Sequence, residues 1–332
     1  MFPQILRLIR WPNLLIIILS MLGVRYGIFA SLWRDAVLEM LDRGFLVRGF
    51  SLHLSNLDFW LLTFAILCIA SAGNIINDYF DTKTDRLNKP DKVVVGRSIK
   101  RRSAMALHLS LNGIGLLIGA YLSFKVGNWK LTGIFIFSIL ALWFYSTHLK
   151  KQLLSGNILI SLLAALVPIT VGLFEFASGA AYDLNVLNMN ALSFGNLLLQ
   201  KAAFILIGFA VFAFLSNLIR EIVKDMEDVE GDMSIGARTL PIVLGETQAK
   251  YFVISITLFT IVLLGFVQQY LFNTHSNILF WYLLISVQLP LAGIIVILFN
   301  AFTKRDYTRA SLLCKIVIIC GVISMFIYRF AT

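Results

Sequence analysis

Two stretches of this 332-residue chain gather side chains that could do chemistry. The first, Gly73–Gly96, reads GNIINDYFDTKTDRLNKPDKVVVG and begins in the tail of an apolar run. Asn77, Asp81 and Asp85 are spaced by four, so on a continuing helix they share one stripe that drifts slowly around the axis. Such a set of oxygens suits a hard cation such as magnesium, which keeps several waters while it holds a substrate's phosphates. Lys83, Arg86, Lys89 and Lys92 follow at near-regular spacing, and cations beside a metal-binding acidic set are what a diphosphate requires. The stretch points to a metal-bound polyphosphate at a membrane surface.

The second stretch runs from Arg220 to Asp232 and on through Gly236–Pro241. Asp228 and Asp232 repeat the spacing of four, and Arg220, Lys224 and Arg238 supply cations around them. Together the two stretches hold ten of the chain's 18 carboxylates: Asp78, Asp81, Asp85 and Asp91, then Glu221, Asp225, Glu227, Asp228, Glu230 and Asp232. A solvated acidic loop balanced by Lys and Arg explains one such stretch easily. It explains two in matching positions poorly, and metal binding is the better reading.

The elements that must position these residues are membrane helices. Of the residues 59% are hydrophobic and 14% charged, against roughly 25% charged in an average soluble chain. Apolar runs of spanning length lie near 12–32, 57–77, 104–124, 130–147, 156–176, 199–219, 250–271, 277–300 and 311–330. The expectation is an all-α, polytopic membrane protein with one transmembrane domain over residues 1–332, a bundle of nine helices. The net charge of +10 is topological and does not imply nucleic acid. With the N-terminus in the cytoplasm, the loops on that side hold 20 of the 28 Lys and Arg residues. The positive-inside bias therefore puts both acidic motifs at the cytoplasmic face of the cell membrane. Both follow spans separated by four helices, so a bundle that joins the second and sixth spans confronts the two acidic sets.

Other residues carry simpler expectations. Arg7 and Arg10 precede a first span that is too long for a signal peptide and lacks a cleavage site. Arg25, well inside that span, is expected to snorkel to the outer interface, and Glu175 to be solvated. Residues 33–56 form either a short interfacial helix with Trp33, Val37, Met40 and Leu41 on one face or a plain loop. Trp60, Trp129, Trp143 and Trp281 fall near span ends as interfacial anchors. His108 and His148 lack metal-ligand spacing and are expected at the surface. Cys68, Cys314 and Cys320 are packing residues. Asn13, Asn74, Tyr145 and Asn157 are pocket or acceptor candidates; a helix-start role serves Asn13 almost as well. Lys150 and Lys151 read as topology markers or, equally, as anion contacts. Gly156 permits close approach.

Opposed acidic sets that hold Mg²⁺ can clamp a departing diphosphate. The carbon fragment left behind must be stable, and an allylic prenyl cation is delocalised, with an apolar tail that lies among helices. The residues resemble the UbiA superfamily of intramembrane prenyltransferases. Its first motif, Asn-Asp-x-x-Asp-x-x-x-Asp, is matched by Asn77, Asp78, Asp81 and Asp85, and its second by Asp228, Asp232 and Gly236. The resemblance implies a nine-helix bundle with a central cavity open to the cytoplasmic side and to lipid, and Mg²⁺ bridging the motifs. Asp81, Asp85, Asp228 and Asp232 are then catalytic metal ligands, with Asn77 and Asp78 completing or orienting the first set. Arg86, Lys92, Lys150, Arg220, Lys224 and Arg238 are candidates for binding phosphate groups.

Within the superfamily, the segments Asn77–Asp81, Tyr145–Lys150 and Arg220–Pro241 look most like the geranylgeranylglycerol-phosphate geranylgeranyltransferases of ether-lipid synthesis. That resemblance implies a prenyl diphosphate donor, geranylgeranyl diphosphate, and a glycerol-phosphate lipid acceptor. After Asp85 the chain departs from their pattern, with Lys89-Pro90 and Val94-Val95-Gly96. An aromatic acceptor, as in quinone synthesis, is the nearest alternative. An ion-coupled transporter or cation channel is the alternative of another class, and it expects ionisable residues near the bilayer midplane.

Overall fold

Long apolar stretches with few prolines have a favoured solution in lipid, because a helix satisfies its own backbone groups. The computed structural model describes residues 2–42, 52–88, 93–183 and 189–331, without the side chains of residues 2, 36–37, 39–42, 83–88, 180–183, 189–198 and 331. The expectations for Asp85 and Arg86 side chains and for Lys92 thus lie outside the described residues. Among the described residues, nine helices are long and apolar enough to cross a membrane. They are α1 (Trp11–Asp35), α2 (Asn56–Thr82), α3 (Arg101–Lys125), α4 (Trp129–Thr147), α5 (Ser155–Gly179), α6 (Leu199–Glu227), α7 (Glu246–Asn273), α8 (Asn277–Phe299) and α9 (Lys304–Phe330).

These match the nine apolar runs, and the helices that carry the motifs run beyond their apolar parts. The helix containing α2 spans Asn56–Asn88, so the first motif sits on continuous helix as its spacing requires. The helix of α6 stops at Glu227, and Asp228 leads into a short helix over Val229–Ser234. The second motif therefore lies at a helix break.

Packing closes a ring. α2 packs along α4, α4 meets α5, α5 runs along α6, α6 along α9, and α9 returns to α1, which touches α2 and α5. α3 lies against α2 and α4, while α7 packs on α6 and α8 packs on α7 and α9. One apolar core joins α1–α5 around Phe29, Phe59, Phe135 and Phe174, and another joins α6–α9 around Ile222, Val253, Ile294 and Val317. Leu117, Phe204 and Phe266 point outward, as helices facing lipid allow. α1 and α9 approach to backbone contact at Gly27, where an added Cβ would lie 2.1 Å from the Met325 carbonyl oxygen. Gly27 belongs to a π-helical segment, Gly23–Phe29, within α1.

That segment also overturns one expectation. Arg25 does not snorkel: it is buried, and its Nη1 donates to Glu175 Oε1 at 2.6 Å. Its Nη2 donates to the Leu54 carbonyl at 2.6 Å and to Asn56 Oδ1 at 3.1 Å. Glu175 is likewise buried rather than solvated, and its Oε2 accepts the backbone N–H groups of His53 and Leu54, both at 3.1 Å. The cation and the carboxylate lie 150 residues apart and satisfy each other, so neither needs the interface. The guanidinium also stacks over Phe59, 4.8 Å from the ring centroid.

His108 is a second correction. It is buried between α3 and α2, where Nδ1–H donates to the Ala72 carbonyl at 2.9 Å and Nε2 accepts from Asn112 Nδ2 at 3.2 Å. His148 is exposed as expected. The helix of α1 runs on to Asp42 through the segment Ala30–Asp42, with Trp33 buried rather than facing an interface. The side chains of Val37, Met40 and Leu41 lie outside the described residues. Cys68 and Cys314 are buried and Cys320 partly so, all unpaired. Trp60, Trp129, Trp143 and Trp281 are exposed.

Candidate active site

A cavity of about 790 Å³ runs down the ring, lined by α1, α2, α4, α5, α6 and α9. One end is polar. From α2 come Asn74, Asn77, Asp78 and Asp81, and from α6 and the segment after it come Glu221, Lys224, Asp225, Asp228 and Asp232. The helix Asn56–Asn88 packs directly on the Val229–Ser234 helix, so the two acidic sets share one chamber. Deeper in, the wall becomes apolar, with Ile66, Ile69, Phe135, Val167 and Val322.

The polar end is held by pairs that cross between elements. Lys150 bonds Asp81. Arg10 Nη2 donates to Asp78 Oδ1 at 2.7 Å. Glu221 accepts from Arg220 at 2.6 Å and from Lys224 at 3.2 Å. Asn157, a pocket candidate, does not line the cavity but bonds across the bundle from α5 to α6, its Nδ2 donating to Asp225 Oδ2 at 2.7 Å. Burial opposes the charge on Arg10, but Asp78, with Asp81 and Tyr145 nearby, outweighs it and raises the guanidinium pKa above its ordinary value.

Asn13 and Tyr145 line the cavity as expected. Asn74 lines it too, yet its Nδ2 donates to the Ile9 carbonyl at 2.9 Å, which ties α2 to the N-terminal segment. Arg238 is not brought into the cavity. It is exposed, and its backbone N–H donates to the Lys151 carbonyl at 2.8 Å. Gly156 permits a close approach, although to a turn: an added Cβ would lie 2.8 Å from the Leu149 carbonyl oxygen.

Among the described residues, no three His, Cys, Asp or Glu side chains gather into a preformed metal site. The motif residues nevertheless fit a divalent cation. Asn77 Oδ1 is buried at the cavity wall with no hydrogen-bond partner among the described residues, and an orphaned acceptor there suits a cation or its water. The surrounding donors are carboxylates, the hard oxygen ligands that magnesium takes.

The UbiA prenyltransferase family model matches residues 45–328. The chain belongs to this family. Digeranylgeranylglyceryl phosphate synthase of Methanothermobacter thermautotrophicus is 33% identical over 256 residues, 77% of this chain and 79% of that one. The enzyme of the same name from Thermococcus gammatolerans is 34% identical over 195 residues, 58% of this chain and 59% of that protein's length. Among solved UbiA-fold structures, one from work on digeranylgeranylglyceryl phosphate synthase in membranes aligns with a TM-score of 0.54 at 23% identity, covering 98% of both chains. A UbiA homologue from Archaeoglobus fulgidus bound to DMAPP and Mg²⁺ aligns with a TM-score of 0.51 at 15% identity, covering 97% of this chain and 99% of that one.

Several residues of this UbiA cavity were not legible as site residues. Arg10 reads as a topology marker, yet it adopts φ 54°, unusual for a non-glycine residue, at the turn from Phe2–Leu8 into α1. That turn delivers its guanidinium to Asp78. Lys315 also reads as a topology marker and lines the cavity, as does Lys151, whose anion-contact alternative fits that place. Glu221 and Asp225 belong to the second acidic stretch and are four apart, but out of register with Asp228 and Asp232. The signal for them was position, one helical turn apart on the face that leads to Asp228.

Proposed function

We propose that this protein transfers a prenyl group from an allylic prenyl diphosphate, geranylgeranyl diphosphate, to the hydroxyl of a glycerol-phosphate lipid precursor. One observation carries the reading: both acidic motifs and a set of cations meet at the polar end of a cavity whose remaining wall is apolar. That arrangement suits an amphiphile with a diphosphate head. The names of the curated relatives support the acceptor, and the family supports the donor.

In this reading Asn77, Asp78, Asp81, Asp85, Asp228 and Asp232 hold magnesium. When bound there, the metal supplies positive charge to the departing diphosphate. Lys150 and Arg10 neutralise Asp81 and Asp78, and at the polar end of the cavity they are placed to donate to an incoming diphosphate as well. Arg220 and Lys224, on Glu221, extend the cationic wall. Breaking the C–O bond leaves an allylic cation, and the apolar wall below keeps water from it. The acceptor oxygen then forms the new C–O bond and loses its proton. The Lys and Arg bias supports a cytoplasmic placement of this chemistry.

The test is product formation by purified protein in detergent with Mg²⁺ and geranylgeranyl diphosphate, offering geranylgeranylglyceryl phosphate and an aromatic acid in parallel. An ether-lipid product that disappears in Asp81→Ala is the expected result. Product from the aromatic acid alone would move the enzyme to quinone synthesis while keeping the metal site. A transporter reading fits less well, because the acids cluster at one end of the cavity and not near its middle.

A further inference from the structure

Lys315 lines the cavity from α9, a helix that carries neither acidic motif. It stands about one helical turn, roughly 6 Å, inside the apolar run 311–330. An ionisable residue so placed is costly in lipid and, where it faces a cavity, marks a ligand contact. Of the other cations in the cavity wall, Arg10 is committed to Asp78, Lys150 to Asp81, and Arg220 and Lys224 to Glu221, while Arg7 and Lys151 are exposed. Lys315 forms no ion pair with a carboxylate among the described residues, and it is only half-buried.

The stripe below it matters equally. Ile318 and Val322, three and seven residues on, line the same cavity and continue the same face of α9. A cation at the head of an apolar stripe fits an amphiphile with an anionic head. The donor's diphosphate already has the two motifs and their cations on α2, α6 and the segment after α4. We infer that Lys315 binds the acceptor's own phosphate, with the acceptor's apolar chain lying along Ile318 and Val322. Lys315 is thereby the residue that selects a phosphorylated acceptor over its uncharged alcohol. This rests on the glycerol-phosphate reading above.

The experiment compares purified wild type, Lys315→Gln and Lys315→Arg with geranylgeranylglyceryl phosphate and with geranylgeranylglycerol as acceptors. Donor KM is measured alongside. The expected result is a rise of about 10-fold or more in acceptor KM for Lys315→Gln, loss of the preference for the phosphorylated acceptor, an unchanged donor KM, and partial recovery in Lys315→Arg. If Lys315→Gln keeps the wild-type preference, or if donor KM rises as much as acceptor KM, the assignment is overturned while the proposed function stands. If the wild type turns over neither glycerol acceptor, the glycerol-phosphate reading itself falls, and this inference falls with it.

Discussion

Two stations along α1, its start and a point past its middle, place an arginine beside a carboxylate and use the pair differently. At the first, Arg10 meets Asp78 in an open cavity with other cations and acids around them. At the other, 15 residues along the helix and about 22 Å away by its rise, Arg25 meets Glu175 in a closed interior. The Arg25 station is nearly saturated: Glu175 takes two backbone N–H groups as well as the guanidinium, and Arg25 holds a carbonyl and an amide. It knits α1, α5 and the start of α2 into one unit and offers nothing to a ligand. The Arg10 station is built for exchange, with Asn77 Oδ1 orphaned and a motif amide and carboxylates facing a cavity large enough for a substrate. Buried charge serves structure where its ionic partners lie within the protein, with Arg25 Nε alone of that pair's polar atoms left without a hydrogen bond among the described residues, and chemistry where acceptors facing a cavity are left for a guest.

Substitutions at the two stations should separate along that line. Asp81→Ala is expected to lower turnover by about 10³-fold or more while leaving the thermal unfolding midpoint in detergent within a degree or two of wild type. A large loss of stability in that variant would erase the contrast. Chelation of divalent cations with EDTA should likewise abolish turnover without unfolding, and added Mg²⁺ should restore it; turnover that persists in excess chelator would remove the metal from the site.

Glu175→Ala should do the reverse and cost about 3–5 kcal/mol of stability by stranding the buried guanidinium. The double change Arg25→Met with Glu175→Leu should recover much of that loss, because an apolar pair needs no partner. Denaturation of the three proteins, read alongside activity per folded molecule, sharpens the comparison. If the double variant is no better than Glu175→Ala, the pair contributes more than mutual neutralisation.

A smaller effect is expected between the two stations. Gly119 on α3 leaves room for the ring of Phe135, and an added Cβ would lie 2.6 Å from that ring. Phe135 lines the apolar part of the cavity and packs against Phe174. Gly119→Ala should therefore push the ring and cost about 1–3 kcal/mol, with a shift toward shorter prenyl donors in competition assays. An unchanged donor preference would place the ring's displacement away from the cavity.

The nine spans and the helical stripe that begins with Asn77 and Asp81 were legible from the chain because they follow from local periodicity and composition. An apolar run must be helical in lipid, and residues four apart on a helix share a face whatever surrounds them. The break at Asp228 and the placement of Arg10, Arg25, His108 and Glu175 were not legible, because each depends on a partner far along the chain. Arg25 inside a span admits snorkelling or pairing, and only the packing of α5 against α1 brings Glu175, 150 residues away, within 2.6 Å. Lys150 and Asp81 are 69 residues apart, and Arg10 and Asp78 are 68. A charge's type and its position on a helix are properties of the sequence. Which charge it meets, and whether water or a substrate also reaches it, was decided by which helices became neighbours.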